Sequence, residues 1–127
     1  MSGCTGMIWG AVNFMPHECV KLFNLIEEKK YLEAMDLWKL MEPVCLWLGG
    51  NRHEVDYLTG IKAAANLSGR DMGPPRKPLP NVAAPARHDL RIAMSKLPIN
   101  HTTNNRLVWR DWQEEKDWLI QSSIKRN

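Results

Sequence analysis

The sequence has no CxxC pair and no even set of cysteines. Its three thiols, Cys4, Cys19 and Cys45, stand far apart in the chain. That excludes a disulfide framework and the common zinc spacings, and it reads as reduced thiols in a cytoplasmic protein. No apolar run approaches the ~18 to 20 residues of a membrane span. The opening stretch, "MSGCTGMIWGAVNFMP", is apolar but has no basic flank, so it does not read as a secretion signal. An excess of one charge sign is also missing. Seventeen basic residues face fourteen acidic ones, for a net +3. So small and scattered an excess argues against a nucleic-acid surface. There is no internal repeat, and nothing calls for a cofactor or a metal.

What is present is enough apolar residue for one domain. The segment "MIWGAVNF", residues 7–14, is apolar on both sides of its alternation and predicts a strand buried on both faces. Pro16 opens a helix through about Lys29, with Val20, Phe23 and Ile26 three apart and Leu22 and Leu25 beside them. A second helix is predicted over residues 32–48. Its stripe is Leu32, Met35, Trp38, Met41, Val44, Cys45 and Leu48, and Pro43 should kink it or start a new helix. A third, over 54–67, sets Val55, Leu58, Ile61, Ala64 and Ala65 on one side. A fourth, over 84–97, turns Leu90 and Met94 inward. A lone strand followed by helices has no hydrogen-bond partner of its own, as at the end of an α/β fold.

Between the last two helices lies "GRDMGPPRKPLPN", residues 69–81, with four prolines and two glycines. Proline fixes φ and removes a donor, so this stretch is no helix. It is either a rigid connector, with Arg76 docked on helix ends or carboxylates, or a PxxP ligand through Pro75 and Pro78. The connector is the preferred reading. From residue 98 the composition turns polar and tryptophan-rich. The chain therefore divides into residues 1–98 and a tail, 99–127, unrelated to them.

The order of four pieces resembles the dihydrodipicolinate synthase and N-acetylneuraminate lyase family. "GCTGMIWGAVNFMP" resembles the family's last barrel strand, and "YLEAMDLWKLMEPV" the helix that follows. "GIKAAANLSG" resembles a helix carrying a lysine and small residues, and "GPPRKPL" the connector into the last helix. The match covers about residues 3–97. It implies a mainly α chain, the C-terminal fragment of a (β/α)8 barrel lyase: the last strand plus C-terminal helices. The family joins or cleaves pyruvate or another 2-keto acid through a lysine imine.

On this resemblance the imine lysine, the catalytic tyrosine and the hydroxyl residues fall before the part matched. No residue here is assigned as catalytic. Ile8 is the one position of the substrate pocket that carries over. Trp9 stands where the family usually has serine. Tyr31 and Tyr57 match neither catalytic role. A 2-keto acid would be a partner only if a barrel fragment complemented the chain, and a homo-oligomer or association with that fragment is expected. The competing class is a small helical interaction module using apolar faces and the Pro-rich connector.

Other residues tempt and are read as structural. Lys62 lies beside Ile61 and Ala63 to Ala65, where a desolvated lysine could become a nucleophile, yet a helix leaves it a route to water. His17, Cys19, His53 and His88 match no zinc spacing. In the tail, Arg106, Trp109, Arg110, Trp112 and Lys116 are nearly neutralised by Asp111, Glu114, Glu115 and Asp117.

Overall fold

The computed structural model describes residues 4–49 and 54–98, together with Gln121 and Ser123. Four helices carry the fold: α1, Pro16–Glu27; α2, Tyr31–Gly49; α3, Tyr57–Leu67; and α4, Ala84–Met94. A 3₁₀ turn, Gly10–Asn13, precedes them. Helix α2 packs on α1, α3 and α4, while the 3₁₀ turn contacts α1 and α3.

Sequence chemistry sets the helix ends. Pro16 occupies the first turn of α1, where its missing N–H costs nothing. The helix stops at a left-handed residue, Lys29, with φ 59°. There the Lys30 N–H reaches back to the Leu25 carbonyl at 2.8 Å, the hydrogen bond of a Schellman cap. Helix α3 begins on the Asp56 carboxylate, which accepts from the Leu58 and Thr59 N–H groups at 2.9 and 3.2 Å. It ends on Gly69, φ 84°, with the Arg70 N–H on the Ala65 carbonyl at 2.9 Å. Gly60 lets α3 come close to α2: a Cβ there would sit 3.0 Å from both Leu48 and Trp47.

The core joins Phe14 and Met15 to Cys19 and Leu25 of α1, to Met41 and Val44 of α2, to Ile61, Ala64 and Ala65 of α3, and to Leu90 and Met94 of α4. Leu90 and Met94 thus point inward as their spacing predicts.

Three expectations are corrected. First, the strand over residues 7–14 does not form, and no strand occurs among the described residues. A strand needs a neighbour for its N–H and C=O groups, and the described residues supply none. The backbone closes locally instead, Phe14 and Met15 donating to the Ala11 carbonyl at 3.1 and 3.0 Å. Second, α2 buries Ala34, Leu37, Met41, Val44 and Leu48. Leu32 and Met35 of the expected stripe are exposed. Third, of the two outcomes expected at Pro43, a kink or a new helix, the new helix does not occur, since Pro43 lies inside one continuous α2. The predicted boundary at residue 98 and the tail fall outside the described residues, apart from the helical Gln121 and Ser123.

Candidate functional site

Lys62 lies on the second turn of a helix whose buried side includes Ile61, Ala64, Ala65 and Leu67. That register leaves its ammonium half-buried at the edge of α3, facing the Pro-rich connector. It donates to the Met72 carbonyl at 3.1 Å and to the Pro74 carbonyl at 3.0 Å. One turn on, the Asn66 side-chain oxygen accepts from the Met72 N–H at 2.7 Å. Arg70 reaches the Asn13 carbonyl at 2.9 Å, and Asp71 accepts from the Gly73 N–H at 2.9 Å. The connector is therefore held along α3 by side chains. A chain with few donors leaves its carbonyls for such partners. Two of the Lys62 Nζ hydrogens are thus engaged by connector carbonyls, and the side chain serves here as a tie between α3 and the connector. Sequence reasoning did not find Asn66 or Arg70. A polar residue at a helix end before a proline run was the available signal.

Ile8, the expected pocket residue, is fully exposed. Trp9 is half-buried and packs on the core. Ile8 and Lys62 are not brought together with any acid–base pair among the described residues. Arg76 is exposed rather than docked on a helix end. Tyr31 and Tyr57 are both partly exposed, at the starts of α2 and α3.

His17 is exposed on α1, Cys19 is buried two residues on, and His88 is half-buried on α4. His53 lies outside the described residues. No group of three His, Cys, Asp or Glu side chains that could hold a metal ion occurs among the described residues. Burial pushes the Cys19 thiol up to about 11, with a smaller push from Glu18. Burial likewise raises Cys45 to about 11, with a further contribution from Cys19. These are protonated, poorly nucleophilic thiols at neutral pH. Among the described residues no helix is long and apolar enough to cross a membrane.

Comparison with known proteins adds a relation. The chain is 32% identical over 100 residues to an uncharacterized DapA-like lyase of Pyrobaculum arsenaticum, covering 75% of the chain and 33% of that protein. It is 28% identical over 102 residues to one of Pyrobaculum islandicum, covering 76% and 34%. A third, from Pyrobaculum aerophilum, is 32% identical over 100 residues, with 75% and 33% covered. The chain spans about a third of the length of these curated relatives. These similarities support a relation to the DapA-like lyases. No protein-family model matches the chain, and no solved structure matches significantly.

Proposed function

We propose that the chain is one portion of a DapA-like lyase of the Schiff-base aldolase type, the C-terminal part of its barrel and the helices that follow. It acts on pyruvate or another 2-keto acid only together with a barrel portion that supplies the imine lysine. The observation that carries this reading is the match of three quarters of the chain to one third of relatives named as lyases. The engagement of Lys62 with Met72 and Pro74 supports it, since it gives that lysine a structural role in holding the connector.

In this reading an amine attacks the keto carbon and water leaves; in cleavage the protonated imine takes up the electrons of the breaking carbon–carbon bond as an enamine, and in the joining direction the imine loses a proton to form that enamine, whose electrons make the new bond. The pocket must fix the substrate carboxylate and shuttle protons. Ile8 is the contribution of this chain to that pocket, by backbone rather than side chain. Its exposure leaves it available to the barrel portion. Leu32 and Met35, also exposed, supply apolar surface for such a partner or for a second copy.

The test is pyruvate with borohydride, which reduces an imine to a stable secondary amine. The chain alone should gain no stoichiometric adduct at any lysine. Mixed with a barrel portion from a DapA-like lyase, the adduct should appear on that portion. Stoichiometric trapping on the isolated chain, removed by one lysine substitution, overturns the proposal.

A further inference from the structure

Helix α2 turns one row of residues away from the core. The row is Leu32, Met35, Lys39, Glu42, Leu46 and Gly49, and every one of them is exposed. Their spacing alternates three and four residues, which keeps them in line on a helix of about 3.6 residues per turn. The same alternation marks the seam between two paired helices. Leu32, Met35 and Leu46 leave 84%, 55% and 63% of their surface in solvent. The two ionic residues between them carry opposite signs. By contrast, an open groove of about 550 Å³ along α1 offers one large exposed apolar side chain, Val20, and no sign of an occupant.

We propose that this row is the interface of a symmetric dimer, with α2 packed antiparallel on α2 of a second copy. A second copy is the occupant because the row is complementary to its own reverse. A two-fold axis beside residues 40 and 41 sets Met35 opposite Leu46 of the copy, Lys39 opposite Glu42, and Leu32 opposite Gly49. The axis repeats each pairing. A parallel pairing would instead set Lys39 on Lys39 and Glu42 on Glu42, which repel. Gly49 leaves room for Leu32, since a Cβ there would meet no atom within 4 Å. Leu46 also borders a groove of about 450 Å³ between α2 and α4, with Ile92 exposed on the other wall. Met35 of the copy, unbranched and adaptable, is the kind of side chain that fills such a gap.

One pair of 19-residue helices buries less than the roughly 1,200 Å² of a standard interface. The dimer is therefore one that forms at micromolar concentration and comes apart on dilution. It needs no barrel portion, so this inference is independent of the lyase reading.

Sedimentation equilibrium of the full chain, from roughly 1 to 500 µM, tests it. The average mass should rise from monomer to dimer across that range. Lys39→Glu and Glu42→Lys each set like charges across the axis, and each should weaken the dimer about ten-fold or more. Mixed in equal amounts, the two variants should associate again, because a chain with two acids then meets a chain with two lysines. Both positions are exposed, so circular dichroism should show the helical content of the parent. Leu46→Glu, also at an exposed position, breaks the same seam through its apolar contacts. A monomer throughout the range overturns the proposal. So does a dimer that any of the three variants leaves as strong as the parent, or a pair of charge variants that stay apart when mixed.

Discussion

The Lys62 ammonium donates to the backbone carbonyl of Pro74 at 3.0 Å, across twelve residues of sequence. With its second bond, to Met72, it ties the Pro-rich connector to α3. Lys62→Met keeps the aliphatic stem and removes both bonds. The expected loss is about 1 kcal/mol, the ordinary net value for hydrogen bonds in contact with water. Trypsin cleavage after Arg70 should speed up at the same time. An unchanged urea midpoint and unchanged cleavage would show that the connector holds without the lysine.

Lys29 ends α1 in the left-handed region at φ 59°, where a Cβ crowds the following carbonyl. Lys29→Gly should stabilise the chain, by roughly 0.5 to 1 kcal/mol after the extra unfolded-state entropy of glycine is counted. The neighbouring Lys30–Glu28 ion pair, on the surface at 2.7 Å, is left in place. A lower thermal midpoint in the glycine variant would contradict the cap geometry.

The buried register of the helices is open to a paired test. Leu90 is completely buried, and Leu32 is 84% exposed. Leu90→Ala should cost about 2 to 5 kcal/mol through lost transfer energy and the cavity left behind. Leu32→Ala should stay within about 0.5 kcal/mol. Equal losses would restore the stripe that begins at Leu32.

Cys19 and Cys45 bear on the pH dependence. Both thiols have folded values raised to about 11 from 9.0. In the window between these values the unfolded chain releases protons that the folded chain retains, so stability is fully present below pH 9 and falls as the pH rises toward 11. Denaturant midpoints taken from pH 8 to 11 should decline, and the decline should shrink in a Cys19→Ala, Cys45→Ala variant. At pH 8, alkylation should mark the exposed Cys4 first and the buried Cys19 last. Equal alkylation rates at all three would show that α1 and α2 open readily.

The sequence by itself determined where the helices lie. Pro16, Gly69 and the proline run punctuate it, and these signals act within a few residues. It also determined the inward turn of Leu90 and Met94, because α4 is polar elsewhere and has one face to bury. The connector reading was legible for the same local reason: prolines exclude a helix. The match to lyases was likewise carried by residue order. Tertiary structure decided the rest. Helix α2 is apolar on most sides, so its periodicity could not choose between a stripe that enters through Leu32 and Met35 and one that enters through Ala34 and Leu37. The positions of α1, α3 and α4 made that choice. Residues 7–14 have strand-like composition, but a strand exists only where another backbone pairs with it. Without one among the described residues, the chain closed on Ala11 and left Ile8 in solvent. Lys62 looked the same in sequence whether nucleophile or clamp, and only the path of the connector beside it, bringing two carbonyls to hydrogen-bond distance, made it a clamp.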